Sequence, residues 1–133
     1  MALSQSKTLN VSINADPKKV YDFVSDPENM PNWAGAFCQS VGKVRGEWVI
    51  KTPEGPMRIR FCQKNEFGIL DHFVSPAPGA EIFVPMRVVP NGSGSEIIFT
   101  LFRMPDMTDE KFTEDIKWVR RDLESLKTVL EKS

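Results

Sequence analysis

The chain has 133 residues, 41% of them hydrophobic, 26% charged and 10% aromatic, enough for one domain that hides roughly two-thirds of its unfolded surface without metal or disulfide support. Its 17 basic and 18 acidic side chains leave a formal charge of -1, which excludes the cationic signature of a protein that lives on nucleic acid or anionic lipid. No basic start leads into an apolar run and no window approaches the length of a membrane span, so a cytoplasmic location without membrane association is expected.

The first element is a strand, because Leu9, Val11 and Ile13 alternate with Thr8, Asn10 and Ser12 at the period of two that puts one face on a core. Asp16 and Pro17 then supply a helix cap and a first helical residue, and Val20, Tyr21, Phe23 and Val24 form an apolar flank. Asp26 and Pro27 repeat the signal, which predicts a second short helix ending around Trp33 with Pro31 restricting its last turn. No basic recognition helix follows, so the pair is not a DNA-binding unit.

Six further strands are predicted, over Phe37 to Arg45, Glu47 to Thr52, Met57 to Lys64, Gly68 to Ser75, Ala80 to Val89 and Ser95 to Phe102, separated by turn chemistry at Pro53 to Gly55, Asn65 to Gly68 and Asn91-Gly92. The sheet is therefore antiparallel. Met57, Ile59 and Phe61 face inward and Arg58 and Arg60 outward; Ile82, Val84, Met86 and Val88 share a face that Ile97, Phe99 and Leu101 oppose. Phe112, Ile116, Val119, Leu123, Leu126 and Leu130 recur at steps of three or four, a helical stripe from near Thr108 to near Glu131, roughly 35 Å long and able to cross the sheet. Strand, two short helices, six strands and a long helix make an α+β domain spanning residues 1–133.

Chemistry-bearing groups are few. Cys38 and Cys62 read as free thiols, neither has another ligand type at metal-site spacing, and the lone histidine, His72, cannot build a multi-histidine centre. No metal and no cofactor is expected, since a glycine-rich phosphate loop between strand and helix is also missing. Ser25 and Ser40 lack the context of a nucleophilic triad. Asp71 and His72 are adjacent, so a strand sends them to opposite faces and they cannot form a simple acid-base dyad. Which of the two faces inward is open, because the alternation of Ile69, Asp71 and Phe73 competes with that of Leu70, His72 and Val74. An inward His72 can orient a phenol, enol or carboxylate or exchange a proton with it. Tyr21 offers a phenolic hydrogen bond, and Arg103 stands near a strand end where a cavity mouth could meet an anion.

The run from Val11 through Val24, the segment Asp26 to Trp33 and the stripe from Phe112 to Leu130 resemble the helix-grip, or START-like, superfamily, which includes polyketide cyclases and aromatases, the birch pollen allergen fold and lipid-transfer domains. Leu70-Asp71-His72, Pro85 to Gly92 and Phe99 to Arg103 are similar to a branch of small bacterial proteins classed as cyclase/dehydrase-like without an established reaction. The resemblance implies a curved seven-stranded antiparallel sheet around the long C-terminal helix, with an elongated apolar cavity between them. Its expected wall comprises Phe23, Trp33, Phe37, Trp48, Ile59, Phe61, Phe73, Val84, Met86, Phe99, Leu101, Ile116, Val119 and Leu123. Each of these is equally a core residue, since a side chain can fill an interior without touching a ligand.

Three functions compete. One is a binding protein for a small apolar or aromatic metabolite or lipid-like ligand, held by apolar burial with a few polar groups setting its orientation. Another is a polyketide cyclase, aromatase or dehydratase in which His72 or Tyr21, with Asp71 as a further polar candidate, moves a proton. The third is a protein-interaction module, which requires an exterior apolar patch and little cavity. Homodimerisation is compatible with all three.

Overall fold

The computed structural model describes residues 3–132. Strand β1, Ser6–Ile13, buries Leu9, Val11 and Ile13 on one face as its alternation requires. Helix α1, Pro17–Val24, begins where the Asp16 carboxylate accepts the Lys18 amide at 3.0 Å and buries Val20 and Val24. The second expected helix is two short pieces: a 3-10 turn over Pro27–Asn29, capped by Asp26, runs into α2, Met30–Trp33. Pro31 stands in the first turn of α2 rather than its last, where its missing N–H is no loss.

The strand expected from Phe37 starts only at Ser40, giving β2 as Ser40–Val44. The amides of Phe37 and Cys38 both bond to the Ala34 carbonyl and the Ala36 amide bonds to Asp122, so the segment finishes a turn before it can extend. Strands β3, Glu47–Thr52, and β4, Gly55–Phe61, follow. Ile59 is buried, and the arginines lie outward in ion pairs, Arg58 with Glu47 at 3.3 Å and Arg60 with Glu81 at 3.0 Å.

The strand expected over Ala80 to Val89 is divided into β6, Ala80–Val84, and β7, Met86–Asn91, so eight strands stand where seven were expected. Pro85 between them has no N–H to give a ladder. Asp71 repairs the gap: its Oδ1 accepts the Met86 amide at 2.9 Å and the Arg87 Nε at 3.1 Å, while Oδ2 accepts Arg87 Nη2 at 3.0 Å. That role settles the alternation left open by the sequence. Asp71 and Phe73 are outward, and Leu70, His72 and Val74 are buried.

Strand β5, His72–Ala77, joins a five-stranded sheet in the order β2-β3-β4-β5-β6, and β8, Gly94–Phe102, completes a three-stranded one in the order β1-β8-β7. Every pairing is antiparallel. The chain around Pro85 stitches the two sheets into one curved surface, for Leu70 N–H donates to Met86 O, Val88 N–H to Gly68 O and Thr100 N–H to Pro85 O at 2.8, 2.9 and 3.0 Å. Gly68 has φ +74°, and a Cβ there would meet the Val88 carbonyl oxygen at 2.1 Å, so this crossing tolerates only glycine.

Helix α3, Asp109–Glu131, is capped by Thr108 and packs against β1 and α2. Leu123, Leu126 and Leu130 enter the same core as Ile13, Ile50, Met86 and Ile97. Burying each such leucine contributes roughly 1.5–3 kcal/mol before ordering losses. Near its end Lys127 donates to Ser12 O at 2.8 Å and Glu131 accepts the Asn14 amide at 2.8 Å, fixing the helix to the end of β1. Among the described residues no helix is long and apolar enough to cross a membrane, and no cluster of three or more His, Cys, Asp or Glu could hold a metal ion.

Candidate functional site

A cleft of about 250 Å³ lies between the curved sheet and the helices. The sheet supplies His72, Val74, Ile82, Val84, Phe99 and Leu101; α2 and the turn after it supply Met30, Trp33, Ala34 and Phe37; α3 supplies Trp118, Val119, Asp122 and Leu123. The alternation of the strands and the helical stripe together aim these side chains at one space. At the rim stand Pro53 and Glu54 of the β3–β4 turn, Met104 and Met107 of the loop before α3, and Lys111 and Asp115 of its first turns. Lys111 ties the rim together, with Nζ 2.5 Å from Glu54, 2.9 Å from Asp115 and 5.7 Å from the centre of the Trp118 ring.

Two buried titratable groups border this largely apolar space. His72 is 6% exposed, its Nδ1 lies 3.0 Å from the Leu70 carbonyl, and its ring packs against Phe61 and Phe99 at 4.8 and 6.2 Å between centres. Burial holds its pKa below the ordinary 6.5, against the opposing pull of the Leu70 carbonyl and Asp71. The ring is therefore neutral near pH 7, and a proton on Nδ1 facing Leu70 leaves Nε2 as an acceptor. Asp122 is also 6% exposed; burial lifts its carboxyl from 3.8 to about 6 although the amides of Ala36 and Phe37 favour the charged form. The Ala36 amide lies 3.0 Å from Oδ1.

A second hollow, about 460 Å³, opens near α1 and the outer side of β4 and β5, bordered by Tyr21, Ser25, Trp48, Arg58, Arg60, Phe61, Lys64, Phe73 and Glu81 among others. It is the larger space, but Arg58 pairs with Glu47 and Arg60 with Glu81 at its border, Lys64 donates to the Ser25 hydroxyl at 3.0 Å, and none of the acids or bases that line it is buried. Tyr21 Oη there accepts the Asn65 amide at 2.9 Å.

The expected site residues thus separate. Trp33, Phe37, Val84, Phe99, Leu101, Val119 and Leu123 line the inner cleft together with His72. Trp48, Ile59 and Phe61 border the second hollow, as does Phe73, whose outward ring stacks on Phe83 at 5.1 Å with Arg60 above it at 4.6 Å. Met86 is fully buried core, and Phe23 and Ile116 pack against that core without bordering either space. Tyr21 and Asp71 do not reach His72's cleft. Arg103, a candidate for an anion, instead bonds to the Met107 carbonyl and pairs with Asp109. Cys38 and Cys62 are free thiols; burial pushes Cys38 to about 11, which keeps it an inert thiol. The sequence reading passed over Asp122, Trp118 and the methionines of the rim. Asp122 had a signal, because it falls four residues after Trp118 and four before Leu126, within the apolar stripe.

A curved antiparallel sheet closed by a long C-terminal helix, with two short helices after the first strand and a cleft inside, defines a helix-grip protein. The sequence profile of the polyketide cyclase/dehydrase and lipid transport family matches residues 4–131, and the chain belongs to that family. Among solved structures it is similar to the protein XoxI from Bacillus cereus, with a TM-score of 0.76 and 16% identity over 94% of each chain. It is also similar to Ara h 8.0201, at 0.70 and 12% over 98% of this chain and 100% of that one. The Aha1 dimer from Colwellia psychrerythraea matches at 0.72 and 17% over 96% of each chain. At these identities the likeness is one of fold. Among curated proteins none matches the chain in sequence.

Proposed function

We propose that this protein binds a small apolar or aromatic molecule in the inner cleft, with His72 Nε2 accepting a hydrogen bond from a hydroxyl of the ligand. The observation that carries the reading is a buried, neutral imidazole in a largely apolar wall, with the buried Asp122 carboxyl as the other titratable group set deep in it. Apolar surface entering such a space gains roughly 25 cal/mol per Å², and one matched polar contact sets orientation. Of the groups expected to move a proton in a cyclase or dehydratase, His72 borders this cleft and Tyr21 and Asp71 do not, while the buried Asp122 carboxyl stands in the same wall as a second candidate. Of the exposed large apolar residues Leu3, Val44, Phe67, Phe83, Val89 and Phe102, Phe83 and Phe102 border the cleft itself, which supports a binder more than an interaction module.

Two measurements test the reading. Native mass spectrometry of protein purified gently from its own host should retain an aromatic or lipid-like adduct. Titration with 2-naphthol and naphthalene should show saturable binding of both, and His72→Phe should weaken 2-naphthol about tenfold while leaving naphthalene nearly unchanged. Failure of both compounds to bind, with adduct-free protein across preparations, refutes it.

A further inference from the structure

Trp33 borders the cleft, and its side chain carries a polar group that nothing in the protein satisfies. Trp33 is 4% exposed, and among the described residues its Nε1 is the one buried side-chain nitrogen or oxygen without a hydrogen-bond partner. Buried indole N–H groups ordinarily find an acceptor, and one left without it opposes folding. Trp33 is also part of the cleft wall, on the helical side, across from the sheet that carries His72.

We propose that Trp33 is a specificity residue, its indole N–H donating to a carbonyl or ether oxygen of the bound ligand. The inference rests on the binding reading above and adds a second, chemically opposite requirement. His72 Nε2 accepts and so selects a hydroxyl; Trp33 donates and so selects an acceptor oxygen. The ligand class is therefore an apolar or aromatic body carrying a hydroxyl at the sheet side and an acceptor oxygen at the α2 side, and a plain hydrocarbon would fill the space while leaving both groups unmet.

The test uses two probes of nearly equal shape, 2-acetylnaphthalene and its hydrocarbon counterpart 2-isopropenylnaphthalene, against the full chain and its Trp33→Phe variant. Because the ketone is harder to remove from water, the quantity read is the ratio of the two affinities in one protein compared with the other. That ratio should fall about tenfold in favour of the hydrocarbon when Trp33 becomes Phe. Independently, the chain has three tryptophans, and the Trp33 indole proton of the wild-type protein should move downfield and exchange more slowly with the ketone but not with the hydrocarbon. This second arm decides the matter alone if the variant does not fold. If both probes bind, the ratio is unchanged and the indole signal stays put or keeps exchanging with water, the role of Trp33 is refuted while the cleft remains a binding site. If neither probe binds the wild-type chain while 2-naphthol does, the role of Trp33 is refuted and the binding reading stands; if 2-naphthol and naphthalene fail as well and the protein is adduct-free, both fall.

Discussion

Asp122 gives the most quantitative expectation. It projects from α3 into a wall of apolar groups, 6% exposed, and its carboxyl is lifted from 3.8 to about 6 chiefly by burial. The unfolded chain therefore releases this proton near 3.8 and the folded chain only near 6. Between those values the folded state binds more protons, so this group's contribution falls as pH rises, and it stays low above about 6. Two pKa units correspond to about 3 kcal/mol, and water entering the open cleft reduces this to about 1–2 kcal/mol. Asp122→Asn keeps an oxygen for the Ala36 amide and cannot ionise. Urea unfolding should find it more stable than wild type by about 1–2 kcal/mol near pH 8 and equal to it near pH 3.5, with unchanged denaturant slopes. A difference that does not vary with pH, or an Asn variant less stable near pH 8, would show that the charge itself holds the turn after α2 and would overturn the reasoning.

His72 should behave in the opposite sense. Burial lowers its folded pKa, so stability is complete above its ordinary 6.5 and declines as pH falls below that value, which a histidine-free His72→Phe variant should not reproduce in paired melts. Asp71→Ala removes the acceptor for the Met86 amide and Arg87 beside Pro85, and should cost about 1–3 kcal/mol by urea unfolding near pH 7; no loss would mean the strand crossing is held elsewhere. Gly68→Ala, which places a Cβ against the Val88 carbonyl at a positive φ, should lower the thermal midpoint by more than the same change at Gly92, where nothing lies within 4 Å. Leu126→Ala should cost about 2–5 kcal/mol as a fully buried truncation in the shared core.

Patterns that repeat were legible in the sequence, and choices made by one contact were not. The stripe on α3, the inward set Leu9, Val11 and Ile13, and the facing sets Met86 with Phe99 and Val88 with Ile97 follow from periods of 3.6 and 2, and all stand where expected. The segment Ile69 to Val74 carries two equally apolar alternations, so periodicity alone left His72 undecided. What decides it lies fifteen residues away, in the amide of Met86 after a proline that breaks the ladder. Phe73 was expected on the cavity wall from the resemblance, but its ring lies on the outer face, where Phe83 and Arg60 cover it. The late start of β2 likewise depends on the Ala34 carbonyl capturing the amides of Phe37 and Cys38, which the sequence alone assigned to a strand, and on Asp122 holding the Ala36 amide just before them. Trp33 could be placed on the wall from its helical position, but its unsatisfied N–H is a property of what surrounds it.

The most direct test of the binding account is isotope-filtered NMR of the protein saturated with 2-naphthol, reading nuclear Overhauser contacts from the ring protons. The account predicts contacts to the methyl groups of Val84, Leu101, Val119 and Leu123 and to the His72 ring, all of which border the inner cleft. Contacts confined to Trp48, Phe73 and the side chains of Arg58 and Arg60 would place the ligand in the outer hollow and contradict it.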